Sequence, residues 1–229
     1  MSTRGGEGVI VAIDGPAGAG KSSIARRVAE RLGFVHIDTG AMYRAVALLA
    51  LRAAIELGDA ARLEPLARGA DIQFEPGASR VLLNGEDVSE AIRGQEVSGA
   101  ASKVSAVPQV RRALVEKQRR MAAASSVVME GRDIGTVVFP DAAVKVFLDA
   151  SPEVRAARRV RELEQKGEAP SSSGVAQEIR ERDRRDSTRA DSPLERAPDA
   201  VYVDTTAMRL EEVENAILKI IAERAGVSG

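Results

Sequence analysis

One glycine-rich segment near the start of the chain constrains its fold more than any other feature. Residues 15–22 read Gly-Pro-Ala-Gly-Ala-Gly-Lys-Ser and follow a short apolar run at 9–13 that is typical of a buried parallel strand. Such glycines let the backbone turn so tightly that successive N–H groups point at phosphate oxygens, and the next helix adds the positive end of its dipole. The segment therefore predicts a strand, a phosphate-binding loop (P-loop) and a helix; the alternative is a glycine-rich turn without a ligand.

The P-loop predicts a nucleoside triphosphate as ligand. Lys21 supplies a positive charge for the outer phosphates, and Ser22 offers a hydroxyl oxygen to Mg²⁺, so Ser22 is the candidate metal ligand. The predicted triphosphate site comprises Gly15, Pro16, Ala17, Gly18, Ala19, Gly20, Lys21, Ser22 and Ser23.

Composition argues against several classes of function. The chain has 229 residues and is 44% apolar, which is enough for one α/β core with a small insertion. A formal net charge of −1, two tyrosines, four phenylalanines and no tryptophan argue against nucleic acid or an anionic membrane as the partner. There is no cysteine, no signal-peptide pattern and no apolar run that would span a bilayer. We expect a cytoplasmic protein that works as a monomer.

Apolar patterns along the chain predict the rest of the sheet. Four more runs read as strands, at 34–38, 127–130, 144–149 and 200–204. Helical periodicity falls between and after them, at 24–32, 45–57, 97–106, 110–124 and 210–225. Strands that alternate with helices predict a doubly wound, five-stranded parallel sheet with helices on both faces and ligands at the carboxyl ends of its strands.

Two segments depart from this alternation. Residues 59–98 contain short strand patterns at 70–74 and 80–88, the second folded around an Asn-Gly turn, and they predict a small β-rich insertion. Residues 152–189 are polar and highly charged, with a Pro-Ser-Ser-Ser-Gly break, and they predict two helices joined by a mobile loop. The predicted core domain takes the remaining residues, 1–58, 99–151 and 190–229.

A P-loop is shared by switches, motors and small-molecule kinases, so the other loops must decide between them. The chain has no Asn-Lys-x-Asp segment and no Asp-x-x-Gly loop after a strand, both of which a GTPase would need. Arginines stand at the predicted strand ends instead, at Arg44, at Arg132 and in the run 180–189. This supply of guanidinium groups favours an enzyme that holds two phosphorylated substrates at once. An acceptor phosphate is already anionic near neutral pH and needs no side-chain base.

Five segments spread over nearly the whole length carry a resemblance to one known family: 13–22, 38–44, 130–140, 145–150 and 181–189. In these segments the chain resembles the bacterial cytidylate kinases, of the nucleoside monophosphate kinase superfamily. The most specific match is Gly131-Arg132-Asp133 with its Phe-Pro tail. The resemblance implies transfer of the γ-phosphoryl group of ATP to CMP or dCMP with Mg²⁺. It also implies that 59–98 binds the monophosphate and that 152–189 includes a short helical lid.

The resemblance places Asp133 and Arg111 at the cytosine ring, with Ser102 as a further hydrogen-bonding partner. Cytosine presents an amino donor at N4 and acceptors at N3 and O2, which suits a carboxylate beside a cationic donor. Uracil would place an acceptor opposite Asp133 and leave that carboxylate poorly satisfied. The residues expected around the CMP phosphate are Thr39, Arg44 and Arg132.

The run 181–189 supplies the other side chains that the resemblance implies for CMP. Arg182 and Asp186 are assigned to the sugar and Arg189 to the phosphates. Because Arg182, Arg185 and Arg189 are three and four residues apart, one face of a helix would present all three. The expected catalytic residues are Lys21, Arg132, Arg182 and Arg189.

Two arginines at the start of the lid segment, Arg155 and Arg159, stand one helical turn apart. They are expected at the adenine ring and the transferring phosphate of ATP. Both therefore belong to the expected ATP site.

Plainer interpretations stay open for several residues. A solvated helix would show the same i,i+4 pairs as Glu178–Arg182 and Glu181–Arg185. Asp133 would also suit a local ion pair with Arg132. The predicted packing residues are Tyr43 and His36, while Asp14, Asp38 and Asp149 suit loop orientation, helix capping or a contact to metal-bound water.

Two other functions compete with transfer to CMP. One is a P-loop kinase for another small acceptor, such as UMP, AMP or shikimate. The other is a nucleotide-dependent regulatory switch, which would hydrolyse ATP slowly and phosphorylate no nucleotide. The Arg111 and Asp133 pair discriminates between the kinases, because an acceptor without the cytosine edge has no use for it.

Overall fold

A computed structural model of the chain describes residues 8–75 and 80–227. Residues 1–7 and 228–229 of the predicted core domain, and residues 76–79 of the predicted insertion, lie outside the described residues. The prediction that the N-terminal segment has no signal-peptide pattern concerns mainly residues 1–7, which lie outside the described residues. None of the helices in the described ranges combines the length and the apolar character of a membrane-spanning helix.

The helices and strands follow the predicted alternation. In chain order they are β1 (Ile10–Asp14), α1 (Lys21–Leu32), β2 (Val35–Asp38), α2 (Thr39–Arg52), α3 (Ala60–Gly69), β3 (Ile72–Phe74), β4 (Val81–Leu83), β5 (Glu86–Asp87), α4 (Gln95–Val104), α5 (Pro108–Ala122), β6 (Val127–Gly131), β7 (Val144–Asp149), α6 (Pro152–Gln165), α7 (Ser172–Thr188), β8 (Val201–Asp204) and α8 (Leu210–Ala225).

The central sheet has five strands in the order β2-β6-β1-β7-β8, and all neighbours pair in parallel. Strand β1 lies in the middle because its side chains are buried on both sides. Ala12 packs into the core formed with α2, α4 and α5, whereas Val11 and Ile13 pack into the core formed with α1 and α8. Successive residues of a strand point to opposite faces, so one run supplies both cores. The predicted doubly wound sheet is confirmed.

Helix α2 ends earlier than its apolar pattern predicts. The carboxylate of Asp38 caps its start by accepting the N–H of Ala41 at 2.9 Å, which is the capping interpretation of this residue. The prediction of a helix to residue 57 was wrong, because α2 ends at Arg52 and the backbone turns at Ala54 with φ of 48°. Ile55 and Leu57 continue the apolar pattern because they pack on the same core from the turn and the loop beyond it.

The segment 59–98 contains both a sheet and a helix. Strands β3, β4 and β5 form the expected antiparallel sheet, and Asn84 and Gly85 make the predicted turn with φ of 52° and 83°. Helix α3 precedes this sheet and was not predicted. Its N-cap is Asp59. Proline is rare inside helices, so Pro65 in the middle of this segment argued against a helix in the sequence.

Helices α6 and α7 form the predicted helical pair of segment 152–189. They pack on each other through a small apolar cluster of their own, made by Ala156, Leu163, Val175 and Ile179. Separate packing of this kind lets the pair act as one unit beside the main core. The boundaries of the insertion and of the lid segment stay predictions.

Candidate active site at the carboxyl ends of the strands

The P-loop runs from the end of β1 to the start of α1, and its glycines are required by close approach and by backbone shape. A Cβ atom at Gly15 would lie 1.9 Å from the carbonyl oxygen of Leu148. Gly18 and Gly20 adopt φ of 76° and 90°, which L side chains rarely reach. The loop therefore wraps the start of α1 as a phosphate cradle requires.

Lys21 lies over this loop. Its side chain is almost fully buried, and Nζ donates a hydrogen bond to the carbonyl oxygen of Pro16 at 2.7 Å. Burial, followed by the charge of Arg132, lowers the pKa of Lys21 to about 7. A bound triphosphate would bring negative charge to this nitrogen and favour its protonated form.

Protonation of Lys21 gives the first testable prediction. At pH 8 much of Lys21 is neutral in the free protein, so binding a nucleoside triphosphate should take up close to one proton, whereas at pH 6 the lysine is already charged and uptake should be small. Calorimetric titrations in buffers of different ionisation enthalpy measure this uptake. Lys21→Met should abolish the difference between the two pH values, and an unchanged difference would contradict the assignment.

Ser22 is held by a carboxylate that was not among the predicted site residues. Its Oγ donates to Oε2 of Glu130 at 2.8 Å, and Oε1 of Glu130 lies 3.1 Å from Nε2 of His36. Glu130 is buried in β6, the strand beside β1. A carboxylate just before the Gly-Arg-Asp segment at a predicted strand end was the available signal. His36 thus has a polar partner in addition to its place in β2.

The residues around Ser22 fit a magnesium ion. Hydroxyl and carboxylate oxygens are the hard donors that Mg²⁺ takes, usually with several waters and substrate phosphates. Within the described ranges no three or more His, Cys, Asp or Glu side chains gather as a metal cluster. Phosphate and water oxygens would therefore have to complete a site at Ser22.

A cleft of about 1250 Å³ opens beside the P-loop and reaches the insertion and the lid helices. It brings together most of the predicted phosphate-binding residues. Those that line it are Ala17, Gly18, Ala19, Gly20, Lys21, Ser22, Ser23, Arg44, Arg132, Arg159 and Arg182. The cleft is large enough for two nucleotides by the usual scale of ligand pockets.

Arg155 connects helices α6 and α7 to the P-loop. Its guanidinium group donates to the carbonyl oxygens of Ala17 and Ala150, both at 3.0 Å, and pairs with Asp183 of α7. Asp183 also accepts the N–H of Ala17 at 3.3 Å. Asp183 was not predicted, because it stands among arginines without a motif of its own. The expected contact between Arg155 and adenine or phosphate stays a prediction.

Two neighbouring arginines of α6 also reach the site. Arg158 donates to the carbonyl oxygens of Thr205 at 2.8 Å and Ala19 at 3.4 Å, so it joins α6 to the residue after β8 and to the P-loop. This residue was not among the predictions. Arg159 pairs with Glu162 at 2.8 Å on the wall of the cleft.

One end of the cleft, the arginine-rich end, concentrates positive charge. Arg132 donates through Nε to Asp186 at 3.0 Å. Burial, followed by the charge of Arg132, lowers the pKa of Arg182 to about 10. Despite its burial, Asp186 has a pKa below its usual value because Arg132, Arg182 and Arg189 face it. Three positive charges around the one carboxylate of Asp186 leave an excess of positive charge, which favours binding of an anionic ligand.

Arg44 and Thr39 lie at the other side of this end. Arg44 pairs with Asp38 at 2.8 Å, and its charge helps to lower the pKa of the half-buried Asp38 carboxyl although desolvation acts in the opposite direction. The hydroxyl of Thr39 donates to the carbonyl oxygen of Glu130 at 2.7 Å and joins α2 to β6. Thr39 therefore contacts β6, and Arg44 lines the cleft; their expected place at the CMP phosphate stays a prediction.

Arg111 and Asp133 form a buried ion pair. Their side chains are only 3% and 7% exposed, and the guanidinium carbon of Arg111 lies 5.5 Å from the centre of the Tyr43 ring. Tyr43 is thus a packing residue, as predicted. Asp133 pairs with Arg111 and Arg132 with Asp186, so the local Asp133–Arg132 pair does not form.

Arg189 lies next to this ion pair, and Ser102 lies in a different pocket. Arg189 lies 3.9 Å from Asp133 and 3.8 Å from Asp186, and its Nε donates to the carbonyl oxygen of Ser192 at 2.6 Å. Ser102 is buried in α4 and lines a separate pocket of about 610 Å³ with Arg185.

Helix α7 therefore does not present its three arginines on one surface as predicted. Arg182 lines the cleft, Arg185 lines the smaller pocket, and Arg189 lies just past the end of the helix at Thr188. Arg189 has extended backbone angles because the helix has ended, so its side chain does not continue the helical face of Arg182 and Arg185.

Buried polar atoms without a hydrogen-bond partner collect around the same residues. Among the described residues, those at the candidate site are Nε of Arg44, Arg111, Arg182 and Arg185, Nη2 of Arg189 and Oγ of Ser102; Oε1 of Gln118 and Oγ1 of Thr136 are two more. Such atoms are costly to bury and usually have partners in native proteins. A polar ligand with phosphate and base atoms would supply the missing hydrogen-bond partners.

Comparison with known proteins identifies the family of this chain. The model of the cytidylate kinase family matches residues 11–223. A cytidylate kinase of Solibacter usitatus strain Ellin6076 is 60% identical over 218 residues, which cover 94% of this chain and 93% of that protein. A cytidylate kinase of Geobacter sp. strain M21 is 52% identical over 226 residues, which cover 98% and 97%. A gluconokinase structure from Sinorhizobium meliloti 1021 shares the fold, with a TM-score of 0.52, 19% identity and coverage of 96% of this chain and 94% of that chain. The expected resemblance is confirmed, and the chain belongs to the cytidylate kinase family.

Proposed function

We propose that this chain transfers the γ-phosphoryl group of ATP to CMP or dCMP, giving ADP and CDP or dCDP. The observation that carries the proposal is the buried Arg111–Asp133 pair, which lies behind the arginine-rich end of a cleft that begins at the P-loop. Family membership supports the same reaction. It favours transfer to CMP over the alternatives of a UMP kinase and a regulatory switch.

The P-loop end of the cleft is the proposed ATP site. Loop N–H groups and Lys21 would hold the β- and γ-phosphates, and α1 adds its positive end. Ser22, oriented by Glu130, would hold Mg²⁺, which when bound neutralises charge on the transferring group. Arg159 on the cleft wall supports an adenosine site under the lid, and Arg155 would adjoin that site from its place against the P-loop.

The arginine-rich end is the proposed CMP site. Arg44 and Arg132 would clamp the phosphate through forked hydrogen bonds, with Thr39 beside them. Arg182 and Asp186 would bind the sugar. For the base, Asp133 would accept from the N4 amino group, while Arg111 and Ser102 would donate to ring acceptors. We assign 59–98 as the monophosphate-binding insertion and 152–189 as the lid, since both segments contribute residues to the cleft wall.

The reaction needs positioning and charge stabilisation more than acid–base chemistry. An oxygen of the CMP phosphate attacks the γ-phosphorus of ATP, and the bond from that phosphorus to the β,γ-bridging oxygen breaks. The electron pair of that bond leaves with ADP. Lys21, Arg132, Arg182 and Arg189 would stabilise the negative charge on the group in transit. The acceptor oxygen is already ionised near neutral pH, so no base is required.

A panel of acceptors tests this function. ADP formation would be followed with Mg-ATP and CMP, dCMP, UMP, AMP, GMP or shikimate, with a control that lacks an acceptor. We expect rapid turnover with CMP and dCMP alone. Rapid turnover with a different acceptor would support a kinase activity but contradict the proposed role of Asp133 in recognising cytosine. Hydrolysis that ignores the acceptor would favour the regulatory switch.

Glu130 gives a prediction for the donor side. Glu130→Gln weakens the hold on Ser22, so we expect kcat to fall about tenfold, equivalent to about 1.4 kcal/mol, while the KM for CMP stays near that of the wild type. Steady-state kinetics at several Mg²⁺ concentrations measure this. Glu214→Gln is the matched control, because Glu214 pairs with Arg27 on α1. Equal losses in both variants would contradict a specific role for Glu130.

The remaining expectations stay predictions: a monomer, in the cytoplasm, that binds no nucleic acid. For the described part of the chain, the large apolar side chains that are strongly exposed are Tyr202 and Leu210, which supports the monomer.

A further inference from the structure

Asp14 lies where the proposed ATP and CMP sites meet. It is the last residue of β1, directly before the P-loop, and it is buried. Its carboxylate accepts the N–H of Ile134 at 2.8 Å and the N–H of Gly135 at 2.7 Å, one with each oxygen. These two N–H groups belong to the residues that directly follow Asp133. Asp14 thus binds the backbone of the loop that carries the proposed cytosine-reading carboxylate.

The shape of that loop explains why it needs an external acceptor. Residues Ile134–Val138 form a single turn of π-helix, and Asp133 before it has φ of −148° and ψ of 23°. The carbonyl oxygen of Asp133 accepts N–H groups of Val137 and Val138 at 2.9 and 3.1 Å. The first N–H groups of any helical turn have no acceptor within it. Asp14 supplies two, and hydrogen bonds to a carboxylate are stronger than those to a neutral group.

The loop also packs directly on Asp14. A Cβ atom at Gly135 would lie 3.4 Å from Oδ2 of Asp14 and 3.1 Å from Cδ of Lys145, so there is little space between these groups. Burial raises the pKa of Asp14 to about 6; the charge of Asp133 acts in the same direction and that of Lys21 opposes it. The Asp14 carboxylate therefore lies close enough to interact electrostatically with both Lys21 of the P-loop and Asp133.

We propose that Asp14 is a positioning residue for acceptor selection, because its two hydrogen bonds fix the backbone of residues 133–135 and so the place of the Asp133 carboxylate. The inference rests on the proposed function. Asp14 acts through Asp133 and not by touching a substrate. Its effect should appear in the choice between CMP and UMP.

Asp14→Asn is the variant that tests this role. An asparagine offers one oxygen acceptor and one NH₂ donor, so one of the two loop N–H groups would face another donor. We expect the ratio of kcat/KM for CMP to that for UMP to fall at least about tenfold, mainly through weaker CMP binding. Calorimetry should give a larger Kd for CMP, with the Kd for a non-hydrolysable ATP analogue within about twofold of the wild type.

Arg119→Met is the matched control. Arg119 donates to the carbonyl oxygens of Val138 at 2.9 Å and Val137 at 2.8 Å, so it holds the other end of the same turn. We expect this variant to keep the CMP-to-UMP ratio of the wild type. An equal fall in both variants would show general loosening of the turn and overturn the role of Asp14.

Other outcomes are also decisive. A wild-type ratio in folded Asp14→Asn, or an equal loss of CMP and ATP-analogue binding, overturns the inference. If that variant does not fold, Gly135→Ala takes its place, since its methyl group would crowd the Lys145 side chain at 3.1 Å, should shift the N–H of residue 135 relative to Asp14, and should lower the ratio in the same way. An unchanged ratio in Gly135→Ala would then overturn it. Wild-type turnover of CMP is measured first, so failure of the proposed function is distinguished from failure of this inference.

Discussion

Replacing Lys21 by alanine should reduce kcat about a thousandfold with every acceptor, because the proposed ATP site then loses the buried cation above the P-loop. The γ-phosphoryl group carries its charge at this position in the transition state, and water is a poor substitute for an ammonium group held in place. CMP binding should change little, since the proposed CMP contacts come from other loops.

Steady-state kinetics with CMP, together with calorimetry for CMP and an ATP analogue, measure these effects. Lys219→Ala is the control, because Lys219 is exposed on α8 and pairs weakly with Glu223 at 3.9 Å. A Lys21→Ala enzyme within about tenfold of wild-type kcat would contradict the catalytic role, because a loss that small is below what removal of one such donor usually costs.

Replacing Asp133 by asparagine should lower kcat/KM for CMP about a thousandfold and raise the relative use of UMP. The neutral asparagine oxygen is a weaker acceptor for the cytosine amino group than the carboxylate, whereas the asparagine NH₂ group can donate to the carbonyl oxygen that uracil has at the same position. The burial of Asp133 strengthens the discrimination between the two bases, because a polar group there without a matching partner on the base cannot hydrogen-bond to water instead. The Kd for an ATP analogue should stay within about twofold of the wild type.

The same substitution removes the counter-charge of buried Arg111, so stability must be measured beside activity. Breaking a buried ion pair from one side costs about 3–5 kcal/mol in other proteins, and the melting temperature should fall. Asp199→Asn is the control, because Asp199 pairs with Lys145 at 2.8 Å away from the cleft. Equal losses of CMP and ATP-analogue binding in folded Asp133→Asn would rule out the base-reading role.

Much of the fold was predictable because the strands of the sheet are short apolar runs bounded by loops. The central run at 9–13 and the P-loop after it are enough to place one ligand site at the carboxyl edge of the sheet. Two helices were predicted less well. Apolar residues Ile55 and Leu57 extend the pattern of α2 although they lie in a turn and a loop, and Pro65 interrupts the pattern of α3.

The candidate site was less predictable, because its contacts join residues that are far apart in the chain. The P-loop is a local motif and can be read directly. The Ser22–Glu130 hydrogen bond depends on β6 lying beside β1, an order that periodicity does not give. The contacts between Arg155 and Asp183 depend on how the lid packs on the P-loop. Arg111 and Asp133 came from the family resemblance and not from their spacing.

Direct transfer to CMP predicts one outcome for the γ-phosphoryl group of ATP. Enzyme in excess over ATP labelled with ³²P at the γ-phosphorus would be mixed with CMP and Mg²⁺, and the products separated within one turnover. The label should appear in the β-phosphate of CDP as ATP disappears. Label that appears as inorganic phosphate while CMP stays unmodified would contradict the proposed transfer.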